Sequence, residues 1–200
     1  MYISPRYTDG DWRKLTFSTD DEWQRAIDIF EDRIRGRFLN HISHIEGDTF
    51  AGFAVLALDC LLIETLQQFR EGVPRTPKRQ TKTFFVRFLT KTSFGSYFTN
   101  KKLAEMFYEQ IRCGILHQAE TGGNSKVRTW LLAKPFKTHS LIEYTDDKKG
   151  LIINRKLFHQ QLVREFEAYV ATLRRGSNQD LRNNFRQKMN HICGSPSEIS

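Results

Sequence analysis

Apolar residues recur at spacings of three and four along much of the chain, which is the pattern of amphipathic helices. The first such stretch covers residues 21–43 and carries Trp23, Ile27, Phe30, Ile34, Phe38 and Ile42. Asp20 and Asp21 precede the apolar positions and supply an N-cap and a negatively charged first turn. The pattern therefore predicts a helix over 21–43, after an N-terminal arm that is irregular or forms a short strand.

Four further segments between residues 50 and 173 are predicted to be helical. Residues 50–68 are apolar on nearly every face, which indicates a helix buried between other helices or in a subunit interface. Residues 78–92 combine a phenylalanine-rich face with basic residues that face outward. Asn100 caps a helix that runs to about residue 119, and Asn154 caps a long helix that reaches about residue 173.

Strand-like residues lie between the last two of these helices, at 126–132, 140–144 and 151–153. A turn over 146–150 predicts that the last two segments form a hairpin. The predicted fold class is therefore mainly α, a helical bundle with a small β-hairpin insertion before the last long helix. The predicted boundaries are an arm at 1–20, a helical domain at 21–175, a basic C-terminal helix at 176–193 and a disordered tail at 194–200.

Composition adds limits on the class of protein. The chain has 200 residues, 39% hydrophobic and 27% charged, which excludes wholesale disorder and fits one domain, or one domain with a small appendage. Three cysteines with no close pair argue against a disulfide framework, so we expect the reducing cytoplasm. Residues 1–20 show no signal-peptide pattern, and the apolar run at 50–63 contains Asp59 and is shorter than the ~20 residues that span a bilayer. We therefore expect no membrane association.

The positive charge is concentrated in one segment. The net charge of the whole chain is +8, and residues 70–102 hold nine lysines and arginines against one glutamate, so the rest of the chain is neutral. Such a field attracts polyanions, most commonly nucleic acid, although a solvated basic face is the alternative. The candidate RNA-binding residues are Arg75, Lys78, Arg79, Lys82, Arg87 and Lys91.

The segment 107–120 carries the candidate chemistry. Arg112 and His117 flank its apolar face, and their spacing of five places them about 140° apart on a regular helix. They can act together only if the helix is distorted, which Gly114 permits, or if each meets the same residues of a second chain. The structural alternatives are an ion pair of Arg112 with Glu109 and a histidine that bonds the last carbonyls of its helix.

An arginine followed after four residues by a histidine, late in a helix of a mainly α chain, resembles the Arg-x(4–6)-His motif of the HEPN superfamily of helical ribonucleases. The apolar helix around 57–64, the hairpin after the motif and the long helix after Asn154 have the same order as in that family. The resemblance covers residues 21–175. It implies a helical bundle that forms a homodimer and cuts single-stranded RNA with no metal or cofactor, as a toxin or antiviral effector.

The resemblance also implies roles for individual residues. Arg112 and His117 correspond to the catalytic pair, and Asp59, Glu64 and Cys113 are candidates to orient it. Asp59 and Glu64 are charges on a buried helix and need partners; structural pairs with lysine or arginine elsewhere are the alternative. Expected partners are RNA, a second copy, and an antitoxin or a nucleotidyltransferase-like protein. Since the residue after the arginine is often polar in this family and is Cys113 here, an inactive module that binds RNA, a nucleotide or a protein is the alternative function.

The proposed chemistry suits the two residue types. RNA supplies its own nucleophile, the 2′-OH beside each scissile phosphate. An arginine can hold two phosphate oxygens as negative charge develops, and a histidine can exchange a proton near neutral pH. A Cys113–His117 nucleophile pair at a spacing of four is a weaker hypothesis than a cysteine packed as a small hydrophobe.

Overall fold

The computed structural model describes residues 1–128 and 140–194 and has a mainly α fold with a small sheet, as predicted. The helices are α1 Asp9–Arg13, α2 Asp20–Ile34, α3 Asn40–Ile45, α4 Gly52–Glu71, α5 Thr81–Lys91, α6 Lys101–Phe107, α7 Gly114–Gln118, α8 Arg155–Arg175 and α9 Gln179–Ile192. The strands are β1 Lys126–Arg128, β2 Ile142–Tyr144 and β3 Leu151–Asn154. A short 3₁₀ turn, Ser93–Ser96, follows α5.

Two predicted helices leave regular α geometry partway along. A π-helical segment, Arg35–Leu39, joins α2 to α3, and a second one, Tyr108–Cys113, joins α6 to α7. A π turn, with i→i+5 bonds, is about one residue longer than an α turn, but a single such turn changes the apolar spacing over too few residues to be recognised from the sequence. Asn100 and Asn178 are N-caps, since their side chains accept bonds from the backbone of Leu103 and Leu181. The predicted N-cap Asp20 is wrong, because Thr19 caps α2 by accepting from the backbone of Glu22, and Asp20 and Asp21 lie in the first turn.

The N-terminal arm contains a short helix, α1, where an irregular segment or strand was predicted. Thr8 and Asp11 form a reciprocal capping box at its start, and Trp12 is buried. The Thr8-x-x-Asp11 pattern is a helix-start signal in the sequence. No helix was predicted there because the segment has no apolar repeat.

The predicted hairpin is confirmed and has a third strand beside it. β2 pairs antiparallel with β3, with Ile142 opposite Ile153, and β1 pairs parallel with the other edge of β3, with Lys126 opposite Ile152. The predicted strand over 126–132 continues outside the described residues after 128. The predicted tail lies outside them after 194.

The chain divides into two compact units. The first comprises residues 1–43, 68–76 and 166–200, and Phe30 packs in it against Phe69, Phe166 and Phe185. The second comprises residues 44–67 and 77–165. In its core, Phe107 stacks on Phe158 with ring centroids 5.0 Å apart. Every residue of the candidate catalytic pair and of its immediate surroundings belongs to the second unit.

Helix α4, Gly52–Glu71, has 20 residues and the length and composition of a membrane-crossing helix, whereas the apolar run at 50–63 was expected to be too short for one. Half of its most apolar stretch is buried inside the protein. A single helix of this kind is weak evidence for a membrane span, because the core helix of a soluble protein meets the same criteria.

Candidate active site

Arg112 and His117 come together within one chain. Arg112 lies in the π-helical segment Tyr108–Cys113, and His117 lies one turn further on, in α7. Nη1 of Arg112 is 3.5 Å from Nε2 of His117, at the outer limit of hydrogen-bond distance. Because a guanidinium has only donors, a hydrogen bond here requires Nε2 as the acceptor, which is the arrangement of the Nδ1–H tautomer. Of the two sequence-based routes, the distorted helix is the one observed.

Glu64 of α4 fixes the other side of the guanidinium. Its Oε2 accepts a hydrogen bond from Nη2 of Arg112 at 3.1 Å, and the two side chains are 20% and 15% exposed. The guanidinium also lies over the ring of Tyr108, 5.4 Å from its centroid. Burial opposes the charge of Arg112, but Tyr108 and Glu64 outweigh it and raise the pKa of the guanidinium. Arg112 is therefore a permanent, oriented cation.

Glu109 is not the partner of Arg112, although it lies three residues before it. Its carboxylate accepts a hydrogen bond from Lys82 of α5 at 2.8 Å. Arg112 therefore does not form the local surface ion pair with Glu109. It pairs instead with Glu64, which joins the π segment to α4.

Cys113 and Tyr108 complete the surroundings of the pair. The Cys113 side chain is half-buried. Burial, followed by the Cys113 thiol, raises the pKa of the Tyr108 hydroxyl. The sequence analysis did not single out Tyr108, although its position four residues before Arg112 places both on one helix face.

Asp59 lies elsewhere in the second unit and bonds to a residue that the sequence did not pair with it. Its Oδ1 is 2.8 Å from Nδ1 of His159 on α8, and both side chains are buried. Burial raises the pKa of Asp59 to about 6. Burial alone would lower the pKa of His159, but its bond to Asp59 outweighs this and raises it. The two residues are 100 positions apart in the chain, so no local pattern predicts the pair.

The six candidate RNA-binding residues differ in exposure. Arg75, Lys78, Arg79, Arg87 and Lys91 are exposed, and Arg75 belongs to the first compact unit. Lys82 is half-buried and is held by Glu109 and, at 3.7 Å, by Glu105. Its charge is therefore already partly neutralised, in contrast to the exposed lysines on either side of it.

The loop after α7 packs directly on the π segment. The backbone nitrogen of Gly122 donates to the carbonyl of Gln110 at 2.6 Å. A Cβ at Gly114 would lie only 2.5 Å from the carbonyl oxygen of Glu120, so this contact requires glycine. Gly114 was expected to permit distortion of the helix, and the structure shows that it also permits the close approach of the following loop.

Comparison of the chain with protein-family models, with curated proteins and with solved structures gives no significant match.

Proposed function

We propose that this protein is a metal-independent endoribonuclease of the HEPN type, acting in the cytoplasm on single-stranded RNA. The observation that carries the proposal is the 3.5 Å approach of Arg112 Nη1 to the exposed His117 Nε2. A fixed cation and an imidazole acceptor side by side are what cleavage through the 2′-OH requires.

The pair has a defined division of labour in this reaction. When RNA binds, Arg112 exchanges its contact with Nε2 of His117 for the phosphate, and the freed Nε2 takes the proton of the 2′-OH while the 2′-oxygen attacks the adjacent phosphorus. The bond to the 5′-oxygen breaks, and that oxygen takes up a proton from water. Arg112 stabilises the charge that develops on the non-bridging oxygens. The products are a 2′,3′-cyclic phosphate and a 5′-hydroxyl, and later hydrolysis opens the cyclic ester to a 3′-phosphate.

Glu64 supports this role by orientation. Without it, the long side chain of Arg112 would lose one of the contacts that fix its position, and catalysis is sensitive to displacements of about 1 Å. The exposed cations Lys78 and Arg79, just before α5, and Lys91, at its end, would bind the RNA backbone.

A homodimer is part of the proposal. Helix α4 presents apolar residues at helical spacing that are only partly covered, and Leu61, one turn before Glu64, is 42% exposed. Leu116, next to His117, is 43% exposed. A second copy covering these residues would bury apolar surface beside each catalytic pair. Sedimentation of the wild type as a dimer and of Leu61→Glu as a monomer would support this; a monomeric wild type would contradict it.

An inactive binding module is the second candidate, and the Glu64–Arg112 ion pair is the observation that favours it. The Glu64 carboxylate already bonds to Nη2 of Arg112, and such a pair can hold α4 against the π segment without any role in catalysis. As a toxin or antiviral effector the active enzyme would be held by an antitoxin or nucleotidyltransferase-like partner, whereas the inactive module would bind its partner through the same helices.

Incubation of purified protein with single-stranded RNA in EDTA separates the two candidates. The ribonuclease proposal predicts cleavage by the wild type and its loss in Arg112→Ala and in His117→Ala, with melting temperatures checked for all three. RNA binding without cleavage, unchanged in Arg112→Ala, would support the binding module. Cleavage retained in His117→Ala would remove His117 from the mechanism.

A further inference from the structure

The guanidinium of Arg112 is held both at its edge and on one of its faces. At the edge, Nη2 donates to Oε2 of Glu64 at 3.1 Å. On the face, Cζ lies 5.4 Å from the ring centroid of Tyr108, which is within the range of a cation–π contact. A hydrogen bond to one terminal nitrogen leaves the planar group free to rotate about that bond, whereas an aromatic ring against its face fixes the plane. Together the two contacts set the orientation of the guanidinium.

The ring of Tyr108 is itself fixed by helix α5. Phe85 of α5 is buried and meets the Tyr108 ring edge to face, with the two ring centroids 5.6 Å apart. Phe85 in turn stacks on Phe107, with centroids 5.9 Å apart. The Tyr108 side chain is half-buried, and its hydroxyl interacts with the Cys113 thiol. The ring that faces Arg112 is therefore anchored to the phenylalanine core of the second unit.

The plane of the guanidinium matters for contact with a phosphate. An arginine binds two phosphate oxygens through two parallel N–H donors that lie in one plane. If that plane turns, one of the two bonds is lost, and the charge that develops on the oxygens is stabilised less well. A ring against the face fixes the plane without using an N–H donor, whereas each additional carboxylate would occupy one. An aromatic support therefore leaves more of Arg112 available to RNA.

We propose that Tyr108 is a positioning residue for Arg112, and that its aromatic ring rather than its hydroxyl fixes the guanidinium plane for contact with an RNA phosphate. The inference rests on the ribonuclease function proposed above and adds a residue that acts through Arg112. The ring is the part of Tyr108 that lies against the guanidinium, and the hydroxyl interacts with Cys113. Loss of the hydroxyl alone should therefore be tolerated, and loss of the ring should not.

Binding of a 2′-O-methyl RNA oligonucleotide tests this role without cleavage, because such RNA has no free 2′-OH. Tyr108→Leu removes the ring and should weaken binding about fivefold or more, whereas Tyr108→Phe keeps the ring and should stay within about twofold of the wild type. Tyr144→Leu is the control, since it replaces a 41% exposed tyrosine on β2, and it should bind like the wild type. Urea denaturation checks that each variant is folded, and Tyr108→Met replaces the leucine variant if that one is not.

A double variant separates positioning from a general loss of packing. If the ring acts through Arg112, Tyr108→Leu should have no further effect on RNA affinity when Arg112→Ala is already present. The exposed cations Lys78, Arg79 and Lys91 keep binding measurable in that background. An equal loss of affinity with and without Arg112 would overturn the proposal. Full affinity in Tyr108→Leu, or a loss in Tyr108→Phe as large as in Tyr108→Leu, would overturn it as well.

The outcomes for this role and for the ribonuclease are distinct. RNA cleavage in EDTA with an unchanged single-turnover rate in Tyr108→Leu would overturn the role of Tyr108 and leave the nuclease in place. A dependence of RNA binding on the ring that disappears in Arg112→Ala, in a protein that cuts no RNA, would support the positioning role and contradict the nuclease. A wild type that neither binds nor cuts RNA would contradict both.

Discussion

The carboxylate of Glu64 and the guanidinium of Arg112 form an ion pair at 3.1 Å that links α4 to the π-helical segment before α7. Both side chains are mostly buried, so the pair is far better shielded than an ordinary surface ion pair. It holds Arg112 beside His117, and we therefore propose that Glu64 orients Arg112.

Replacement of Glu64 by glutamine should lower the rate of RNA cleavage at least about tenfold, because the neutral amide holds Arg112 less firmly. Glu109→Gln is the matched control, since its carboxylate is 61% exposed and pairs with Lys82 instead. Single-turnover cleavage rates of the two variants provide the comparison. Equal rates would show that Glu64 has no part in positioning Arg112.

Gly114→Ala should destabilise the protein by about 1–3 kcal/mol. The new Cβ would meet backbone atoms of the following loop, at 2.5 Å from the Glu120 oxygen and 2.9 Å from the Gly122 nitrogen. Gly47→Ala is the control, because a Cβ there has nothing within 4 Å. Urea denaturation measures both. A Gly114→Ala variant as stable as Gly47→Ala would mean that the loop does not pack on the π segment.

The buried Asp59–His159 pair should make the protein less stable as the pH rises from 5 to 8. The pKa of each group is raised by folding, so the folded state holds protons that the unfolded chain has released, and stability falls as those protons are lost. The nearby charge of Glu46 also raises the pKa of both Asp59 and His159.

Asp59→Asn removes the carboxylate and should flatten this pH dependence, while the loss of a buried partner destabilises the protein by about 3–5 kcal/mol at acidic pH. Free energies of unfolding between pH 5 and pH 8 for the wild type and the variant are the measurement. A wild-type free energy of unfolding that rises from pH 5 to pH 8 would contradict the raised pKa values of Asp59 and His159.

Lys78→Ala should weaken RNA binding equally for all sequences and reduce the salt slope by about one, as expected for one phosphate contact. Lys82→Ala should have a smaller effect, because Lys82 is already held by Glu109 and Glu105. Binding constants at several salt concentrations distinguish the two. A larger loss in Lys82→Ala would mean that RNA displaces the glutamates.

The sequence predicted the fold class, the longer helices and the hairpin because apolar spacing and cap residues such as Asn100 are local signals, whereas the short α1 was not predicted. The π segment at Tyr108–Cys113 has no such signal, and β1 pairs with β3 across more than twenty residues. The same holds for the site. Arg112 and His117 were found by their spacing, whereas the choice of Glu64 over Glu109 and the pairing of Asp59 with His159 depend on how distant helices pack.

The chemical identity of the ends at the cut tests the central claim most directly. Mass spectrometry of single-stranded RNA incubated with the wild type in EDTA should find a 2′,3′-cyclic phosphate or a 3′-phosphate on the upstream fragment and a 5′-hydroxyl on the downstream one. The same fragments should be absent with His117→Ala. A 3′-hydroxyl with a 5′-phosphate, or intact RNA after incubation with the wild type, would contradict cleavage by Arg112 and His117 through the 2′-OH.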